Sequence, residues 1–342
     1  MTVTGNRIEW IDAMRGFSMM LVVFGHVLMS MGIGGEKTFL SSFLMTFRMP
    51  LFFFVSGFFS YRATTWWNKK RIQDILGRKF KAQVLATIIF LTVFQIAFNL
   101  DIGFAHGFGY YWYTIVLFQM YMVYLVFSCI SRVVKKNIAD GAMVAISLAG
   151  IIIAVRLPDI QISQILSWSN FFHYFQFFTF GILCSKYKNG FFRLVDNDRI
   201  KAAVITLCVS GCLLWIGGVK FFVFNYINRY ILCKYFTLLV VIIYFHGNAE
   251  LYSRDSKVSK VMKYIGKRTL DIYFLHFFFL PDLGFMRDFL LDGNMIVIQV
   301  LAASIITSVI LAFTCLISSI LRQSDTLGTF LFGLKKQAPQ HS

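Results

Sequence analysis

An all-α, polytopic membrane bundle of about ten helices is the fold class the sequence predicts, and three observations predict it. Hydrophobic residues make up 58% of the 342 and charged residues only 14%, against about 25% charged in soluble domains. Mean hydropathy is +0.68, and apolar stretches of the ~20 residues that a bilayer-crossing helix needs recur from end to end. Lys and Arg, finally, gather in alternate loops between those stretches. The net charge of +17 would suit a nucleic-acid ligand if the bases were clustered on one surface. Their placement follows the positive-inside rule instead, so nucleic-acid binding is set aside.

Ten spans are expected within one membrane domain over 1–342, at roughly 11–32, 39–60, 80–99, 110–131, 139–156, 165–185, 200–219, 228–247, 268–287 and 294–320. With both termini in the cytoplasm, the inner segments hold Arg7 and Arg15 and seven bases from Arg62 to Lys81. Further bases lie between 132 and 136, 186 and 201, and 254 and 268, and in the tail. The outer loops hold only Lys37, Arg156, Lys220, Arg229 and Arg287, while Arg48 and Lys234 fall inside spans. The first apolar segment is long enough to span and lacks a small-residue cleavage site, so no cleavable signal peptide is expected. The six cysteines sit in or beside apolar segments with no CxxC spacing, which predicts packing roles and neither a disulfide framework nor a metal site. No internal repeat of the transporter kind is established.

Ionisable residues at bilayer depth are costly and face the bundle interior or water. In span 1, "IEWIDAMRGFSMMLVVFGHV", Arg15 and His26 are eleven residues apart, three helical turns plus about 20°, so they share one stripe ~16 Å long. Asp12 is one turn before Arg15 and suited to pair with it. Taken singly, Arg15 also reads as a snorkelling anchor and His26 as a core histidine. Span 2, "TFRMPLFFFVSGFFSYR", puts Arg48 near the depth of His26, with Pro50 removing a backbone donor; Pro50, Ser56 and Gly57 read mainly as packing. Span 9, "IGKRTLDIYFLHFFFL", aligns Thr269, Tyr273 and His276 on one stripe. His173 in span 6 is a further candidate, whereas His246 and His106 read as interfacial.

With these residues assembled, the chain resembles the membrane-bound acyltransferase 3 family of O-acyltransferases. The resemblance runs from Asp12 to about Gly333. It rests on the arginine–ten residues–histidine signature (Arg15 to His26), on "FRMPLFFFVSGFF", "YYWYTIVLFQMY" and "GKRTLDIYFLH", and on "TLGTFLFG" near the end. The short form looks closest to the fucose 4-O-acetylase-like branch. Two departures stand out: Arg48 occupies a place where relatives often have histidine, and no SGNH esterase-type domain is fused. The acyl group is therefore passed on by the membrane unit itself or by a separate extracytoplasmic partner, and a homodimer stays open.

The resemblance implies a protein of the bacterial cytoplasmic membrane. It implies an acyl-CoA donor, usually acetyl-CoA, entering from the cytoplasm, no metal, and an acceptor hydroxyl on a cell-surface glycan or lipid-linked sugar. The bases of the 61–81 segment suit the CoA phosphates, with Arg71, Arg78 and Arg62 preferred; Arg15 would meet the pyrophosphate or the pantetheine amides. Acyl transfer to an alcohol needs a base and an oxyanion stabiliser. His26 fits the first role, Arg48 or Tyr273 with His276 the second, and His173 the acceptor; a covalent acyl-histidine is a further route. Two rivals remain: a proton-coupled transporter, disfavoured by missing repeats and missing intramembrane carboxylate relays, and acylation of a lipid-linked sugar on the cytoplasmic face.

Overall fold

The computed structural model describes residues 8–35, 37–61, 68–103, 107–131, 133–156, 161–216, 233–254, 256–292 and 296–332. Every regular element among them is helical. In chain order these are α1 (Glu9–Ser30), α2 (Phe39–Ser60), α3 (Lys69–Ala97), α4 (Trp112–Ile130), α5 (Lys136–Arg156), α6 (Gln161–Ile165), α7 (Trp168–Lys186), α8 (Lys188–Asp196) and α9 (Asp198–Ile216). Then follow α10 (Thr237–Gly247), α11 (Ala249–Ser253), α12 (Lys257–Lys267), α13 (Thr269–Leu275), α14 (Arg287–Asp292), α15 (Ile296–Leu321) and α16 (Asp325–Phe332). Among the described residues five helices are long and apolar enough to cross a bilayer: α1, α2, α3, α4 with its 3-10 lead, and α15. Shorter apolar helices cover Asn137–Ile153, Cys233–Gly247 and Thr269–Phe279. The expected spans at 200–219 and 228–247 lie partly outside the described residues.

Two boundaries differ from the sequence expectation. The third helix begins at Lys69, not near 80, because Asn68 caps it: its side-chain oxygen accepts the Arg71 N–H at 2.8 Å, satisfying a donor that has no partner within the helix. No proline interrupts the run to Ala97, which passes through a π turn at Phe80–Leu85. The ninth apolar helix ends early. α13 tightens into a 3-10 turn at His276–Phe279 and stops at Leu280, whose backbone is extended (φ −79°, ψ 109°). Pro281 follows; its ring pushes the preceding residue out of the helical region and it has no N–H to continue the ladder.

The described chain divides into two compact units, Met1–Val55 with Tyr187–Cys315, and Ser56–Lys186 with Leu316–Ser342. In the first, α12 lies on the N-terminal half of α1 at backbone contact. A Cβ on Gly16 would sit 2.1 Å from the Met262 carbonyl oxygen, and one on Gly266 would sit 2.2 Å from that of Asp12; only glycine admits so close a crossing. Lys263 pairs with Glu9 at 3.1 Å. Contacts therefore advance together, from Glu9–Lys263 through Gly16–Gly266 to His26–His276, so α1 and the α12–α13 segment run parallel. At the N-terminal end of α1 Trp10 and Phe192 flank the His246 ring, and His246 Nε2 meets Asp196 at 2.9 Å.

In the second unit α3 and α4 pack antiparallel. Phe94 meets Tyr110 and Tyr111, Thr87 hydrogen-bonds Thr114, Phe80 meets Phe118 at 6.0 Å, and Lys79 Nζ lies 3.9 Å over the Tyr121 ring. Continued, this register sets Lys69 level with Ile130, the C-terminal end of α4. Arg78, Lys79 and Lys81 are consequently level with the middle of α4 and do not lie in a loop. Arg78 and Lys81 are exposed. Against hydrocarbon such charges cost a few kcal/mol each, so water or headgroups are the surroundings that suit this face.

Candidate active site

All five residues singled out for catalysis lie in the first unit. α1 is uninterrupted from Glu9 to Ser30, so Arg15 and His26 do share one stripe at the ~16 Å that helical rise dictates. Both are half-buried. Just past His26 the helix is closed: the Gly32 N–H donates to Met29 and that of Ile33 to Leu28, each at 3.1 Å, a pairing that satisfies the last carbonyls.

His26 faces His276, ring centroid to centroid 5.3 Å, and touches the Phe277 ring edge at 4.9 Å. Its nitrogens make no hydrogen bond to a described residue. His276 is fully buried, and its two ring nitrogens are distinguished by their surroundings. Nδ1 lies 2.9 Å from the Ile272 carbonyl oxygen, which can only accept, so Nδ1 carries the hydrogen and donates it. The backbone N–H of His276 also donates to Ile272. Nε2 is then left with a lone pair, buried and without a hydrogen-bond partner among the described residues. Tyr273, buried one turn earlier, has its ring 6.2 Å from that of His276.

Arg48 arrives from α2, two residues before Pro50. Its guanidinium lies on the α1 backbone at Gly25: a Cβ built there would fall 1.6 Å from Nη1. The residue next to His26 has no side chain because an arginine occupies that space. The unit thus collects two imidazoles, a phenol and a guanidinium, which supply a base and a cationic stabiliser for an oxyanion.

The remaining candidates lie elsewhere. Arg71 and Arg78 are exposed on α3 in the second unit, and Arg62 falls outside the described residues. His173 is half-buried on α7, also in the second unit, its ring edge-on to Tyr174 at 4.8 Å. Asp271 was passed over in the sequence because it stands in an apolar run, yet it is buried at 1% exposure, as are Asp12 at 2% and Lys234 at 7%, all in the first unit. Among the described residues no group of His, Cys, Asp and Glu is arranged to hold a metal ion.

A family model described as an acyltransferase domain, of the acyltransferase 3 kind, matches residues 8–318. The chain belongs to the acyltransferase 3 family. The matched stretch includes Arg15, His26, Arg48, Tyr273 and His276 and ends before "TLGTFLFG" at 326–333. No curated protein and no solved structure matches the chain. As a member of the acyltransferase 3 family with several bilayer-length apolar helices, the protein is a membrane acyltransferase, and the His26–His276–Arg48 cluster is its candidate active site.

Proposed function

We propose that this acyltransferase transfers an acetyl group from cytoplasmic acetyl-CoA to a hydroxyl of a cell-surface glycan or lipid-linked sugar, in the manner of the fucose 4-O-acetylase-like branch. The observation that carries the reading is the pairing of an accessible imidazole, His26, with the buried His276 while the Arg48 guanidinium rests on the adjacent Gly25. His26 takes the acceptor hydroxyl proton as the oxygen attacks the thioester carbonyl. Arg48, aided by the Tyr273 hydroxyl, holds the tetrahedral oxyanion. Collapse breaks the carbon–sulfur bond, and the departing thiolate takes the proton back from His26. The ester is formed and CoA leaves as the thiol.

Arg15 is assigned to the pyrophosphate or pantetheine amides, and Arg71, Arg78 and Arg62 to the CoA phosphates. The exposed level of Arg78 on α3 supports an anionic ligand reaching that depth. His173 is assigned to the acceptor. The same reading has about ten spans with both termini in the cytoplasm of a bacterial cell.

Purified protein in liposomes, supplied with labelled acetyl-CoA on one side and candidate glycans on the other, tests the reading. CoA release that requires an acceptor, with label in the glycan, is the expected result. Solute uptake without CoA turnover would assign the intramembrane charges to transport instead.

A further inference from the structure

The outer face of α12 is both basic and apolar. Lys257, Lys260 and Lys267 are exposed, and between them Val258 and Val261 are each 55% exposed and Tyr264 42%. Arg268 closes the helix and stacks over Tyr264 at 4.4 Å. The opposite face is committed to the protein: Ser259 donates to the Tyr252 carbonyl oxygen at 2.6 Å, Lys263 pairs with Glu9, and Gly266 is at backbone contact with α1. Because α12 lies along the N-terminal half of α1, next to the Glu9 end of a bilayer-length helix, its exposed face falls at one boundary of the bilayer. Valines and a tyrosine at that level suit the acyl-chain boundary, and lysines beside them reach outward to headgroups.

We propose that this face of α12 is a binding site for anionic phospholipid, with Lys257, Lys260 and Lys267 on the headgroup phosphates. The lipid then braces the joint at Arg268, from which α13 runs seven residues to His276. The partner is chosen by charge complementarity: three exposed lysines interleaved with apolar side chains match a phosphate over a hydrocarbon chain, and a soluble protein partner would leave the valines facing lipid. The bracing of His276 rests on the function proposed above; the binding does not.

The test uses full-length protein in nanodiscs of phosphatidylcholine alone or with 30% phosphatidylglycerol. Each lysine near an anionic surface contributes about fivefold to affinity, so the triple change Lys257→Gln, Lys260→Gln, Lys267→Gln is expected to lower phosphatidylglycerol retention by about a hundredfold. Acetyl transfer by the unchanged protein should rise several-fold with phosphatidylglycerol, and the triple variant should not respond. The single change Lys263→Gln, on the protein-facing side, controls for fold and is expected to leave retention unchanged. Equal retention by the triple variant overturns the binding site, and so does equal loss in Lys263→Gln. Retention without a turnover response overturns the bracing of His276. A protein that releases no CoA in any lipid would refute the proposed function, while the retention comparison would still decide the site.

Discussion

Gly25→Ala should disable the enzyme without replacing any residue that meets substrate. The new methyl would fall 1.6 Å from Arg48 Nη1 and 2.8 Å from Cζ. To restore ordinary contact at 3.4 Å the guanidinium has to retreat, from 1.6 Å, by roughly 1.8 Å. It is the far end of a flexible side chain, so α1 and α2 can remain in place and the cost to stability is small. Alanine is also the better helix former, by about 1 kcal/mol. A displacement of about 1 Å in a positioned group costs on the order of 100-fold in rate, and loss of one oxyanion donor 100- to 1000-fold. We therefore expect kcat to fall about 100-fold with little change in donor KM, measured by acceptor-dependent CoA release in liposomes. Thermal unfolding followed in parallel should shift little. A well-folded Gly25→Ala protein with near-normal kcat would refute the placement of Arg48 over the reacting carbonyl.

His26→Gln should lower turnover by about 100- to 10,000-fold, the usual range for a lost general base, while acetyl-CoA binding measured calorimetrically stays nearly intact; if turnover survives there and is lost in His276→Gln, the base is His276. Reversing Arg71 and Arg78 to Glu should raise donor KM and make it more salt-dependent, because salt screens the new repulsion between the carboxylates and the phosphates, and an unchanged KM would leave these bases as topology determinants alone. Gly266→Ala drives a methyl to 2.2 Å from the Asp12 carbonyl oxygen, a backbone atom that cannot swing away, so a loss of about 1–3 kcal/mol or more is expected from overpacking. A Gly266→Ala protein that unfolds at the unaltered temperature would contradict the α1–α12 contact.

The all-helical class and the Arg15–His26 stripe were legible because both follow from local periodicity. His276 was legible as well, since a histidine within an apolar run must be accounted for. What lay beyond the sequence depends on contacts between distant segments. Nothing around Gly25 announces that Arg48, 23 residues later, fills its missing side chain. Gly16 and Gly266 look like ordinary glycines until their helices cross. The bases from Lys69 to Lys81 read as a loop because charge marks loops in a hydropathy profile, but Asn68 caps a helix there and the register against α4 carries Arg78, Lys79 and Lys81 to mid-height. Asp271 was masked by its apolar neighbours. The Leu280–Pro281 step was readable in principle, and the apolar count alone overran it.

The level of Arg78, Lys79 and Lys81 against the middle of α4 also determines where the membrane's electric field acts. A potential of 100 mV is worth about 2.3 kcal/mol for each charge carried across the full drop. Where water reaches these bases, that half of the bilayer is at the potential of the adjoining water and the drop is confined to the thickness beyond. Under the proposed function, a polyanionic acetyl-CoA would then settle on the bases without entering the field. The part that would travel further, the acetyl group, is uncharged. On that proposal, donor binding and acyl transfer are expected to be indifferent to whether the membrane is energised, with the thioester supplying the free energy.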